Sequence, residues 1–543
     1  MKSINVFNVK VGLAFFLFVE LVPGTIFSQN QDSPENWPAY NRTYNGERYS
    51  PLKQITTANV KQLRLLHSFD LGRDISSLQT GPIVVDGVMY FTTDTTTYAI
   101  NAATGKLKWK SARPLKEQSE LRVNRGVAFY ENKLFRGSGD AHVYALNAAD
   151  GKQRWDIKVP DAAPGITTPM APIAWNGMVF IGHAGGDNSG ITGHVYALDV
   201  SDGHVIWTFN AVPETGPARA SWPAAAKGIP ISGGAFWTSF SLDTENGVLY
   251  VPSGNPAPDF DVKVREGDNL YSNCVIALDT KTGKLLGYVQ LVRKDLHDWD
   301  VSTAPVLITT KSGRKIIASA NKDGLLSVID RAGVKNEPGA GQNIEDALLY
   351  MYAVPTTTRV NTDIELSREQ YTYFKPGVLG GSEWNGAAYS PELDCIYVGA
   401  VDWGVKGIMP PLDSARMAPQ PGGIWLGGRY IFDPPSEAKG WLTAFNAKDG
   451  TVKWKFKAPA PVLAGVTPTA GGLVFSAAQN GDFYAFDAQN GKMLWKTSTG
   501  LPTGGGIISY AVNGKQYIAI ANGMKSPVWP GAPKKSRILI YGL

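Results

Sequence analysis

One phrase returns along this chain, and it constrains the fold more than any other feature. It reads YAINAATGKLKW at 98–109, YALNAADGKQRW at 144–155, YALDVSDGHVIW at 196–207, IALDTKTGKLLG at 276–287, TAFNAKDGTVKW at 443–454 and YAFDAQNGKMLW at 484–495, with a weaker copy, LSVIDRAGVK, at 326–335. In each full copy alternating apolar residues flank an Asp or Asn and then a Gly able to take positive φ, the pattern of strand, tight turn and strand. In most copies a Trp follows at a fixed distance, where it can pack between neighbouring units.

Between the copies stand shorter apolar runs, among them GPIVVDGVMYFTT, RGVAFYENKLFRGS and APIAWNGMVFIGH, each reading as a second hairpin. Two hairpins in a repeat of roughly 40–50 residues make the four-stranded blade of a β-propeller, whose radial repetition leaves only short, protected edges. Spacing and length predict an all-β, eight-bladed β-propeller with W-docking-type repeats, filling residues 29–543 as a single domain. The 15 Trp, 22 Tyr and 21 Phe supply an aromatic-rich core.

The N-terminus reads differently. Lys2 and Lys10 precede the apolar stretch VGLAFFLFVELVPGTIFS, which ends in small and polar residues near Ser28. Residues 1–28 are expected to be a secretory signal peptide, with an uncleaved anchor as the alternative. The mature protein is then periplasmic or secreted, with no stable membrane insertion after signal cleavage. The net charge of +5 comes from 52 basic and 47 acidic residues without a basic run of five, so no nucleic-acid partner is indicated. Cys274 and Cys395 lie in strand-like apolar runs and read as buried free thiols, and no CxxCH motif offers covalent haem attachment.

Charged residues are only 18% of the chain, yet KDLHDWDVST at 294–303 holds Asp295, Asp298 and Asp300 with His297 and Trp299. Asp in loops between propeller strands commonly caps turns, and Asp295 is assigned that part. A set of carboxylates can equally hold a hard cation through oxygen. Two stretched intervals, the Pro- and Ala-rich 208–232 and the Pro-, Gly- and aromatic-rich 400–440, read either as lids facing a substrate or as rigid surface loops.

The repeat, the opening WPAYNRTYNGERYSPLKQITTANVKQL (37–63) and the stretches VNRGVAFY, SGNPAPDF, GDNLYS and ANKDGLLSVIDR together resemble the pyrroloquinoline quinone (PQQ)-dependent alcohol dehydrogenases, over nearly all of the mature chain. The resemblance implies PQQ and a metal ion, Ca²⁺ or a lanthanide, at the wide end of the central axis. It assigns Asp298, at the family's distance from Gln290, as catalytic base and metal ligand. His297 stands where that family usually has Trp. Asn255 matches a metal ligand, Asp187 stands where Glu is usual, and Asp300 matches the extra carboxylate of lanthanide users. For the cofactor it implies Trp237 as the floor, Arg125 as partner of a PQQ carboxylate, and Lys322 as the cation at the reactive oxygens. It adds Gln79, Thr167 or Thr168, the backbone of Ala184, Gly185 and Gly186, and the pair Glu383 and Trp384.

There are departures. Ser119 and Glu120 replace a pair of adjacent cysteines, Leu463 stands where a pocket Trp is usual, and Glu383 precedes Trp384 where an Asn-Trp pair is common, which together imply a reshaped, roomier substrate pocket. The function implied is an exported dehydrogenase that oxidises an alcohol, including a bulky secondary alcohol or a sugar, and passes electrons to a separate acceptor such as a cytochrome c. The alternative is a non-catalytic propeller that binds or scaffolds and keeps only a degenerate quinone site.

Overall fold

The computed structural model describes Met1 and residues 33–117, 121–332, 348–531 and 533–543. The signal-peptide expectation for 1–28 and the Ser119–Glu120 pair lie outside the described residues. Among those described, strands dominate and form eight four-stranded antiparallel sheets, with one two-stranded and one three-stranded sheet beside them. In seven of the four-stranded sheets the strands follow chain order, as in Ile83–Val85, Val88–Thr92, Thr96–Asn101 and Leu107–Ala112. The eighth joins Arg64–Asp70 to three strands from the far end of the chain, Ile507–Val512, Lys515–Asn522 and Arg537–Gly542. That sheet closes the β-propeller, because its outer edge comes from the start of the domain and the rest from its end.

Burial falls from the axis outward. The third strand His142–Asn147 is buried along nearly its whole length, whereas the fourth strand Leu107–Ala112 alternates between exposed and half-buried residues. First strands of neighbouring sheets touch one another, so they line the hub. This is why the repeated phrase spans strands three and four: it builds the outer hairpin of each sheet, and the shorter apolar runs build the inner one.

The repeated residues now have mechanical roles. The Asn or Asp opening each turn accepts backbone N–H bonds from two residues on, as Asn101 does from Ala103 at 3.0 Å and Asp487 from Gln489 at 2.9 Å. The Trp ending one phrase lies flat under the turn glycine of the next sheet: a Cβ on Gly203 would sit 2.7 Å from the Trp155 ring, and one on Gly283 would sit 2.5 Å from Trp207. The indole N–H of each ring donates to a carbonyl of that next turn, Trp155 to Val200 at 3.2 Å and Trp207 to Thr280 at 2.8 Å. In the sheet of the weak copy Tyr352 takes the Trp position, donating to the Ala447 carbonyl at 2.9 Å.

Cys274 and Cys395 are buried free thiols, as expected. The two stretched intervals part company. Residues 208–232 fold into two short helical turns, Gly216–Ala220 and Pro223–Lys227, and add nothing to the hub cavity described below. Within 400–440, Val405–Ile408 pairs with Thr372–Phe374 on one side and with Arg429–Phe432 on the other in the three-stranded sheet, and Ile424, Leu426 and Tyr430 reach that cavity.

Candidate active site

Loops at one end of the hub enclose a cavity of about 890 Å³, within the ~300–1,000 Å³ typical of small-molecule sites. Except for Thr168, every residue that the sequence nominated for the site lines it. Thr168 is adjacent but turned away: its hydroxyl accepts from the Ser138 N–H at 2.8 Å and faces the His142 carbonyl at 2.9 Å. Its neighbour Thr167 lines the cavity with a buried hydroxyl that has no partner.

One wall is built for a flat anionic molecule. The Arg125 guanidinium lies 4.9 Å from the Trp237 ring centroid and 5.1 Å from that of Trp384, and Nη1 donates to the Trp237 carbonyl at 3.0 Å. Burial lowers its pKa to about 10, while Nε finds no acceptor. Gln79 places an unpartnered Oε1 on the same cavity, its amide nitrogen being anchored to Ser77 at 3.1 Å. Buried polar atoms are normally satisfied, so these orphans around one space fit a polar ligand such as PQQ. Backbone can approach closely at Gly185, where φ is +114° and a Cβ would meet the Gly165 carbonyl at 2.5 Å.

Beside that wall the floor is acidic, joined to it where the Trp237 indole meets Asp300. Asp298 sits at φ +64°, its turn held by Asp295, whose two oxygens accept from the His297 N–H at 3.0 Å and the Trp299 N–H at 2.9 Å. Asp295 therefore caps the turn, as expected of it. His297 points away into an aromatic cluster, 4.3 Å from Trp299 and 4.5 Å from Phe374 between centroids. Burial there drives its pKa down to about 3, so it is neutral.

Lys322 ties the floor together, with Nζ 3.2 Å from Asp298 Oδ1 and 2.6 Å from Asp300 Oδ2. Burial opposes its charge, but Asp298 and Asp300 outweigh burial and hold its pKa above the usual range. Burial, with Asp187 and Asp300 nearby, raises the Asp298 carboxyl against the pull of Lys322. Glu383 is pushed up to about 7, chiefly by burial. Asp300 also accepts at Oδ1 from the Asn255 N–H at 3.0 Å and the Trp237 indole at 3.2 Å.

The group of closest carboxylates differs from the expected set. Asp187, Asp259 and Asp298 bring ligand oxygens within 4.8 Å of one another, and Asn255 donates to Asp259 Oδ1 at 3.0 Å. Asp300 stands outside that trio. Asp259 was not singled out in the sequence: in SGNPAPDF it follows Asn255 by four positions, and only that proximity to a nominated ligand could have flagged it. The donor set, all oxygen and mostly carboxylate, fits a hard cation. Ile424, Leu426, Tyr430, Val528 and Trp529 also line the cavity. Leu463 packs behind Trp384 with Met524 and Trp529, in the core beside the cavity.

Residues 37–335 match the glucose/ethanol/alcohol dehydrogenase β-propeller domain family, and residues 438–524 match a second family described as outer membrane protein assembly factor BamB. The chain is 29% identical over 530 residues to quinoprotein alcohol dehydrogenase PedH of Pseudomonas putida, covering 90% of this chain and 87% of that one. It is 31% identical over 549 residues to the dehydrogenase subunit of the quinone alcohol dehydrogenase of Acetobacter aceti, covering 91% and 72%. The solved quinohemoprotein alcohol dehydrogenase of Comamonas testosteroni superposes with a TM-score of 0.82 at 26% identity, over 94% of this chain and 81% of that one. Sequence, fold and the residues around the hub cavity agree, and the chain belongs to the PQQ-dependent quinoprotein alcohol dehydrogenase family.

Proposed function

We propose that this protein is an exported, PQQ- and metal-dependent dehydrogenase that oxidises an alcohol to the carbonyl compound and hands the electrons to a separate acceptor. The observation that carries the reading is the convergence on one cavity of Arg125 between two indoles, the Lys322 ion pairs, and a cluster of carboxylates. On this reading each of the eight four-stranded sheets is one blade, residues 29–543 form a single propeller, and residues 1–28 direct export to the periplasm or beyond.

Bound in the cavity, PQQ supplies the two-electron redox chemistry, and the cation polarises it. The chain's own residues bind, orient and move a proton. Arg125 offers a planar fork to a cofactor carboxylate. Trp237 offers a flat face, and Gln79 and Thr167 offer polar contacts. Glu383 and Trp384 bound the space from the Lys322 side, and Ala184 to Gly186 let backbone come close. Asp187, Asn255 and Asp298 contribute oxygens toward the ion, joined by Asp300 if its pairing with Lys322 loosens.

Asp298 takes the hydroxyl proton of the substrate at a carboxylate oxygen. Its positive-φ turn sets that carboxylate beside Lys322 at the cavity. Lys322, fully charged, donates hydrogen bonds toward the cofactor oxygens. The apolar side chains of Ile424, Leu426 and Trp529 along the cavity favour alcohols with an apolar body. With no haem-attachment motif in the chain, electrons leave to another protein such as a cytochrome c, in keeping with the Acetobacter relative being a dehydrogenase subunit. Among the described residues no helix is long and apolar enough to cross a membrane.

The test is reconstitution of metal-free protein with PQQ and either Ca²⁺ or a lanthanide, followed by dye reduction with a panel of alcohols. Asp298→Asn is expected to lower kcat by about 10²–10⁴-fold, the range for losing a general base, with bound PQQ retained. Failure of the wild-type protein to bind PQQ with any metal would sink the reading and leave a binding or scaffold propeller.

A further inference from the structure

Resting on that reading, we propose that Asp259 is a ligand of the metal ion, closing its shell with Asp187 and Asp298 in the place that Asp300 would otherwise fill. The three acids come from separate loops: Asp187 follows the strand Met178–Gly182, Asp259 the short strand Pro256–Ala257, and Asp298 the strand Leu285–Gln290. Their oxygens all lie within 4.8 Å of one another. Two oxygens bound to one hard cation at about 2.3–2.6 Å are separated by no more than about 5 Å, so a single ion can touch all three.

The Asp259 side chain is fully buried, and its Oδ2 has no hydrogen-bond partner. Its other oxygen accepts from Asn255 Nδ2 at 3.0 Å. Among the described residues no salt bridge reaches Asp259 or Asp187, because Lys322 is spent on Asp298 and Asp300. A buried carboxylate left without a cation is costly, and the half-buried Asp187 stands beside it. The backbone around Asp259 is held on both sides. Arg265 Nη2 donates to its carbonyl at 3.0 Å, and the next N–H, that of Phe260, bonds the Leu426 carbonyl at 3.0 Å.

Asp300 is differently employed. One oxygen accepts from Asn255 N–H and Trp237, and the other holds Lys322. It orients the cofactor floor and the lysine, while Asp259 brings a free oxygen to the trio. Three carboxylates also offer the charge that a trivalent ion would need.

Full-length, metal-free protein is titrated with Tb³⁺ in the presence of PQQ, following indole-sensitised emission and the difference in decay rate between H₂O and D₂O. Asp259→Asn, nearly isosteric and still able to accept from Asn255, is expected to weaken Tb³⁺ binding by more than about 100-fold, the upper range for groups one shell further out. It should also admit extra bound water. Asp259→Ser serves as the second variant, and circular dichroism checks that both fold. Asp300→Asn is expected to weaken binding much less. Unchanged Tb³⁺ affinity and hydration in both Asp259 variants, alongside loss in Asp298→Asn, would overturn the assignment of Asp259 and leave the proposed function standing. No Tb³⁺ or Ca²⁺ binding by the wild-type protein would overturn both.

Discussion

The docking of each sheet onto the next can be tested with two alanines that differ in one respect. Gly203 and Gly177 both sit in the left-handed region, at φ +82° and +78°. A Cβ on Gly177 meets nothing within 4 Å, whereas one on Gly203 would stand 2.7 Å from the Trp155 ring. Trp155 cannot easily yield, since it is 8% exposed, packs 5.8 Å from Phe135 and is pinned through its indole to Val200. Both substitutions therefore carry the left-handed backbone cost of roughly 1–2 kcal/mol. Gly203→Ala adds overpacking of about 1–3 kcal/mol. Urea unfolding of cofactor-free protein, read by tryptophan fluorescence, should place the Gly203→Ala midpoint clearly below that of Gly177→Ala at a common slope. In a Trp155→Ala background the extra cost should vanish, since the two residues interact directly. Equal losses in the two glycine variants would refute the claim that the turn glycine exists to receive the ring.

Two further outcomes bear on the site and its surroundings. Arg125→Lys keeps the charge but loses the planar fork between Trp237 and Trp384; PQQ affinity should fall about 10- to 100-fold, the worth of a charge-assisted hydrogen bond, and an unchanged titration would remove Arg125 from the cofactor wall. Burial raises the Asp323 carboxyl from 3.8 to about 6, so the folded protein holds that proton more tightly than the unfolded chain. The stability this contributes is complete below about pH 3.8 and lost as pH rises through about 6. Asp323→Asn, which needs no proton and can still accept from the Leu325 N–H, should be about 3 kcal/mol more stable than wild type at pH 8 and similar to it at pH 3, as measured by unfolding of cofactor-free protein at both pH values.

The sequence by itself determined the architecture. Its signals are local: alternation at period two, an Asx residue accepting its own turn's N–H, a glycine a few positions on, and a Trp at fixed distance. Such features need only a dozen or so residues to be legible, and their return along the chain implies the propeller. The same locality let Asp295 be read as a turn cap, since its partners His297 and Trp299 lie two and four residues away.

Only the tertiary structure decided how the acids divide their work. Asp259 rather than Asp300 faces the Asp187 and Asp298 oxygens, while Lys322, from another sheet, holds its ammonium 2.6 Å from Asp300. Thr167 and Thr168 are equivalent as residue types. Neighbours in an extended segment point to opposite sides, and the Ser138 and His142 contacts take the hydroxyl of Thr168 and leave that of Thr167 at the cavity. The fold was legible because each repeat encodes its own strands and turns. The carboxylate cluster was not, because loops of neighbouring sheets build it and meet only after the sheets have packed.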